Sequence, residues 1–345
     1  MLSATDLELS IVTHFDAAVE SEGSVTVPAK AILNFAQYNS DPEVTLETHE
    51  GTQIRCTSKH GKTMLSGEAS TEYPSIAPVE RRTALELEAM PFLEALNLVT
   101  FASAKSTLRP VLSGVYVRTD GSKLILVATD SYRLSEYQIP LKAAVEEFAC
   151  IIPVKVLDEV KMVLGARKTP KKTPDEAAVD EEKGKMPETL SVVMSSQQVE
   201  FQVGNTRLLS RLIEGKFPNY EQIIPKEFAA HVMIPTRELT TVVKRMHYFA
   251  KEVNNNLTFK IDLGEVQVST PQTPLGKDEA SIGAERQGEE RKIALSSSYL
   301  LDFLGHVADD QVKVSVTDSL RPAVFHLPHN EYFLHLIMPL RMQEE

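Results

Sequence analysis

Thr129, Asp130, Tyr132 and Arg133 place a hydroxyl, a carboxylate, a phenol and a guanidinium within one short stretch, a polar cluster at a strand end. Such a set resembles an active site, yet no nucleophile and base can be paired around it from the sequence. His326 and His329 flank Leu327-Pro328 in what reads as a hairpin turn. Two imidazoles at that spacing are too few for a metal, so they read as surface histidines. Cys56 and Cys150 form no CxxC pair and no metal spacing, which favours reduced, buried thiols. HExxH, GxSxG and a phosphate-cradling glycine loop are all missing from the sequence. The expectation is a protein that is not an enzyme and uses neither metal nor cofactor. An enzyme built on Asp130 and Arg133 is the competing class, and loss of turnover on mutating Asp130 would reveal it.

The elements that must position this cluster recur along the chain. A strand, then Pro or Ser, then a short amphipathic helix appears at Val25-Thr26-Val27-Pro28, at Ile151-Ile152-Pro153 and at Ile293-Ala294-Leu295-Ser296. Ser3-Ala4-Thr5-Asp6 is echoed by Val127-Ala128-Thr129-Asp130, which closes an alternating strand over 123–127, and more faintly by Val268-Ser269-Thr270. Longer helices are predicted over 90–102 and 235–251. In the second of these, Leu239, Val242, Val243 and Met246 mark one buried face.

These landmarks divide the chain into units at 1–80, 81–226 and 227–345, joined near Pro78 and Pro225. About 45 residues precede the Thr-Asp landmark in the second unit, against four in the first. The first unit is therefore expected to lack its opening strand, first helix and following strand. Residues 165–188 are highly charged and include Pro170, Pro174 and Pro187, which suits a solvated loop. Residues 271–292 read similarly, although their second half also fits a charged edge strand.

The chain has 345 residues, is 42% hydrophobic and carries a formal charge of -12. It is long enough for two or three cores, and its charge argues against gripping nucleic acid over the whole surface. No apolar run approaches the roughly 18 residues that a membrane span needs, and the first residues lack a signal-peptide pattern. The expected location is cytoplasmic, with no membrane partner.

Three stretches in order resemble the bacterial DNA polymerase III β subunit, the sliding-clamp family. They are Arg109-Pro110-Val111-Leu112-Ser113-Gly114-Val115 continuing through 124–134, then Leu209 to Tyr220, and the ending Ile337-Met338-Pro339-Leu340-Arg341. The resemblance covers nearly the whole chain. It implies an α+β fold of three clamp repeats, helices inside and antiparallel sheets outside, two chains closing head to tail into a ring around duplex DNA. By that likeness the function is processivity, with the replicative polymerase, the clamp loader and other clamp-binding proteins as partners. A chain that docks partner peptides without encircling DNA is the alternative, given the expected gap in the first unit.

Carried over by position, the resemblance implies a peptide pocket of Leu112, Thr129, Ser131, Tyr132, Arg133 and Leu134 with Pro218, Gln222 and Ile223. Tyr299, Leu336, Met338, Pro339, Leu340, Arg341 and Met342 would complete it. Aliphatic and Met side chains adapt to an incoming Leu or Phe, and Arg133 and Arg341 would hold carbonyls or carboxylates. An ordinary interface core is the competing reading of the same residues. The chain departs from the family at Ser131-Tyr132, where Gly-His is common, and at Gln222, where Arg is common. The acidic Gln343-Glu344-Glu345 extends the usual ending.

For DNA, Arg237, Lys244 and Lys251 recur every seven positions and so share one helix side. Lys30, Lys105, Arg109, Lys155 and Lys161 would add to this stripe if their faces converge. With no base-reading motif, sequence-blind contact with duplex DNA is expected. By family position, Lys62 and Leu65 would meet Tyr248 and Phe249 across the ring joint, near Glu279, Glu285, Glu289 and Glu290. Packing within the third unit competes as an explanation of the aromatic pair.

Overall fold

The Thr-Asp landmark folds the same way at both of its expected positions, because a short carboxylate can satisfy the backbone donors of a tight turn. Asp6 accepts from the Glu8 and Leu9 amides at 3.0 and 2.8 Å, and Asp130 accepts from Tyr132 and Arg133 at 2.9 and 3.1 Å. The threonine hydroxyls donate to the carbonyls of Leu9 and Arg133. Leu7 and Ser131 both take positive φ, 76° and 81°. Val268-Ser269-Thr270 lacks the carboxylate. The carboxylate half of the turn recurs instead at Thr317-Asp318, where Asp318 accepts from the Leu320 and Arg321 amides at 2.8 and 2.9 Å while the Thr317 hydroxyl donates to the Glu227 carbonyl. The landmark thus marks a hairpin type, used more often than once per unit.

The computed structural model describes residues 1–76, 78–80, 83–106, 108–166 and 188–342. Five α-helices are seen among them: α1 (Ala29–Tyr38), α2 (Ala89–Val99), α3 (Val154–Ala166), α4 (Thr236–Ala250) and α5 (Ser297–Leu304). α2 and α4 each run on into a 3₁₀ turn, Thr100–Ala102 and Lys251–Val253. The fold is α+β with antiparallel sheets. Most of the charged loop at 165–188 lies outside the described residues, as does Gln343-Glu344-Glu345. Residues 271–292 contain two edge strands, Glu279–Gly283 and Glu285–Gly288, in line with the edge-strand alternative for their second half.

Under the proposed division at 80 and 226, the second unit runs strand, helix and three strands, twice over. The described part of the first unit holds two strands, then α1 and three more. Sheets pass through the boundaries. Leu9–Thr13 pairs with Thr206–Arg211 inside a six-stranded sheet, and Arg133–Pro140 pairs with Asn330–Ile337 inside a nine-stranded one. Two smaller sheets remain at the chain's extremes, with Lys62–Ser66 and Glu279–Gly283 each at an edge.

Of the expected helix stripe, Leu239, Val243 and Met246 of α4 are buried and Val242 is half-buried, with Ala250 buried one turn further on. On the nine-stranded sheet, alternation divides neighbours between faces. Leu124, Leu126 and Ala128 join the main core that also buries the second- and third-unit helices, while Ile125 and Val127 face the opposite side. That second face is covered by a strap from Leu212 to Phe228, whose Phe217 stacks on Tyr116 at 4.9 Å. Gly215 turns the strap at φ 135°, and a Cβ there would lie 2.6 Å from Val111 Cγ1, so only glycine fits. The first unit is packed differently. No residue of α1 is buried and strand Val44–His49 is exposed throughout.

Candidate functional site

The pocket residues do not form one wall. Leu112, Leu134 and Leu336 are 3%, 0% and 0% exposed and belong to the cluster under the strap, so they make a floor that Met338 packs against. Thr129 is buried as well, with its hydroxyl engaged in the hairpin turn. An open groove of about 800 Å³ lies at the end of the strap, lined by Gln222, Ile223 and Met338 together with Ile224, Lys226 and Leu320. Pro218 is exposed on the strap but does not line the groove.

The tail leaves the sheet at Met338 and crosses from the second unit to the third. The Met338 amide donates to the Tyr132 carbonyl at 2.8 Å, the Leu340 amide donates to Ala294, and Asn256 Nδ2 donates to the Arg341 carbonyl. Pro339 and Leu340 are half-buried along this crossing, while Arg341 and Met342 are exposed beyond it. Those two side chains do not line the groove.

Arg133 is turned inward. Expected to reach a ligand, it is 3% exposed and satisfied internally by Asp130, Asp302 and the Phe101 carbonyl. Three of its five N–H donors are engaged in this way, two of them by carboxylates. Its plane lies over the rings of Tyr299 and Phe101, at 4.8 and 5.5 Å. Tyr299 stacks on Tyr132 at 6.3 Å, and Tyr132 remains 61% exposed.

Behind this stack sits His335, fully buried, parallel to Phe303 at 4.8 Å and with Nδ1 2.7 Å from Ser135 Oγ. Its Nε2 has no protein partner. Burial first, then the positive charges of Arg133 and His306, hold this imidazole well below its ordinary 6.5. Because the folded value is depressed, the folded protein binds fewer protons than the unfolded chain. The stability contribution is complete above pH 6.5 and falls as the pH drops through it. Each pH unit below that point is expected to remove about 1.4 kcal/mol, the value for one proton. Urea unfolding at pH 7.5 and 5.5 should show a smaller acid loss in His335→Asn than in the native chain.

The candidate DNA-facing cations separate into two groups. Lys30, Lys105, Lys155, Arg237, Lys244 and Lys251 are exposed, and no acid lies within ion-pair distance of them among the described residues. Lys161 pairs with Asp158 at 2.9 Å and donates to Thr100. Arg109 donates to Ser131 Oγ at 3.3 Å, so it belongs with the groove-side turn. Tyr248 is 64% exposed and meets Phe249 edge-on at 5.5 Å. The nearby Arg245 grips Asp278 with two bonds, tying α4 to the edge strand Glu279–Gly283. Lys62 is exposed and Leu65 half-buried on the opposite extreme edge.

Sequence reading missed Leu320, Arg321 and Pro322 of the groove. The signal was present: Thr317-Asp318-Ser319-Leu320-Arg321 repeats the pattern of Thr129-Asp130-Ser131-Tyr132-Arg133, and its turn delivers Leu320, 84% exposed, to the groove.

Helices packed on antiparallel sheets that continue from unit to unit define a repeat protein of the clamp architecture. The described helices include none long and apolar enough to cross a membrane. The central domain of the DNA polymerase III beta subunit matches residues 86–172 and its C-terminal domain matches residues 221–341, together more than half of the chain. The chain belongs to the DNA polymerase III β-subunit family.

It is 28% identical to the beta sliding clamp of Synechocystis over 99% of this chain and 88% of that protein, and equally identical to that of Staphylococcus aureus with the same shares. Among solved structures, the β subunit of DNA polymerase III from Thermotoga maritima superposes with a TM-score of 0.88 at 22% identity, covering 99% of this chain and 88% of that one. The DNA polymerase sliding clamp of Bacillus subtilis gives 0.84 at 24%, with the same coverage.

Proposed function

We propose that this chain is a sliding clamp: a homodimeric ring around duplex DNA that docks partner peptides beside Met338 and so tethers the replicative polymerase by contact, without chemistry. The observation that carries this reading is the repeated joint. At each internal boundary, the last strand of one unit's first half pairs with the last strand of the next unit's second half. One more joint of this kind, made by the third strand after α4 as Arg133–Pro140 is the third after α2, would pair Glu279–Gly283 of one copy with Lys62–Ser66 of another, both of them open edges. Lys62 and Leu65 lie on one of these strands and Glu279 on the other, with Tyr248 and Phe249 beside it, a charge-complementary edge with an aromatic anchor.

Mass measurement in solution, with retention on circular against linearised DNA after loading, tests the ring. A dimer held on circles and lost from linear ends is expected. A monomer lost equally from both would favour the second reading, peptide docking without encircling, to which the exposed Leu33 and Tyr38 of α1 lend weight.

The docking half of the proposal rests on Met338, half-buried on an apolar floor and facing a groove that Ile223 and Leu320 line with exposed side chains. Met338→Asp sets a carboxylate on that floor. It is expected to weaken a fluorescein-labelled peptide ending in Leu-Phe at least about tenfold, read by fluorescence polarisation. Undiminished affinity would place docking elsewhere.

A further inference from the structure

Arg133 gathers three segments that are distant in sequence. Nε donates to Asp130 in its own turn at 3.1 Å, Nη1 to Asp302 of α5 at 2.8 Å, and Nη2 to the Phe101 carbonyl after α2 at 2.9 Å. Asp302 is 169 residues away along the chain and lies across the boundary between the second and third units. An acid in the last turn of a helix meets the wrong end of the dipole, so Asp302 does not serve α5 by itself. Its counter-charge comes from the other unit.

The same α5 carries Tyr299, whose ring lies between the Arg133 guanidinium and the exposed ring of Tyr132. The Tyr132 carbonyl in turn receives the amide of Met338. A continuous path of contacts therefore leads from Asp302 to a residue that lines the groove.

We infer that Arg133 and Asp302 form a latch across the unit boundary, and that Arg133 acts as a positioning residue, setting the Tyr132–Tyr299 stack and the start of the tail without touching the docked peptide. This rests on the docking reading of the groove. The latch explains why a buried, charged side chain occupies a position where a simple apolar wall would otherwise serve. It also assigns a docking role to Asp302, a residue outside the groove.

The chain contains no tryptophan, so Tyr132→Trp creates a single emitter at the exposed end of the stack. Without any peptide, adding Asp302→Asn should roughly double acrylamide quenching of that emitter, and Asp302→Glu should restore it, as expected when only a positioning charge is lost. In chains that keep Tyr132, Asp302→Asn should weaken the Leu-Phe probe about tenfold, within the usual range of coupling between sites, and Asp302→Glu should recover most of it. Unchanged quenching, or unchanged affinity, would overturn the latch. An affinity loss matched by a lowered urea midpoint and not rescued by Asp302→Glu would also overturn it, in favour of a merely structural role. If the native chain binds the probe no better than Met338→Asp, the docking reading fails and the latch loses its function with it, while the quenching series still reports whether Asp302 sets the stack.

Discussion

Replacing Arg237, Lys244 and Lys251 together by glutamine is expected to lower affinity for duplex DNA about 10²-fold at 0.15 M salt, with the salt slope reduced by about 3. The argument is counterion release. Each neutralised phosphate contributes close to one unit of slope, and three cations aligned along one helix side can act on neighbouring phosphates. The structure supports the premise: all three are exposed, and none has an acid within ion-pair distance among the described residues. They project from α4 and the turn that follows it, while the helix buries Leu239, Val243 and Met246 on the opposite side. Affinity measured by anisotropy across 50 to 300 mM salt, about the range in which such slopes resolve, would settle the point. Parallel slopes for native and variant chains would move the DNA path off α4.

Phe303→Ala should be the most damaging single change to folding, at about 3–5 kcal/mol. Phe303 is fully buried and packs on Phe325 at 5.1 Å, on Phe333 at 6.3 Å and on His335 at 4.8 Å. It is the side chain by which α5 holds the last two strands, and a cavity there would be lined by rings too rigid to collapse into it. Phe303→Leu keeps most of the volume and should cost about 1 kcal/mol. Urea denaturation with an unchanged slope and a lowered midpoint would read both values. A loss for Phe303→Ala no larger than that for Phe303→Leu would show that the site relaxes.

Local chemistry was legible from the sequence wherever a few adjacent residues decide the outcome. The Thr-Asp turns, the Pro- and Ser-led helices and the stripe on α4 all follow from neighbours within a turn or two. What escaped depended on partners far along the chain. Arg133 looked like a ligand-binding residue because its nearest acid, Asp130, leaves most of the guanidinium free; only folding brings Asp302 and the Phe101 carbonyl to it. Leu112 and Leu336 read as groove walls, yet the strap anchored by Phe217 and Tyr220 closes over that face. The groove's third side, Leu320 to Pro322, was hidden because the repeat was sought once per unit and not once per hairpin.

The shared sheets have a mechanical corollary. Boundaries near Pro78 and Pro225 look in sequence like the places where the molecule would bend. In space those boundaries are bridged by ladders, five paired positions at each joint from Leu9 to Thr13 and from Arg133 to Tyr137. Sliding one unit past the next would load every rung of a ladder together, and separating them would expose a whole row of backbone donors and acceptors to be rehydrated. The joins between repeats are therefore stiff seams, and compliance in this chain belongs to the turns and edges between them.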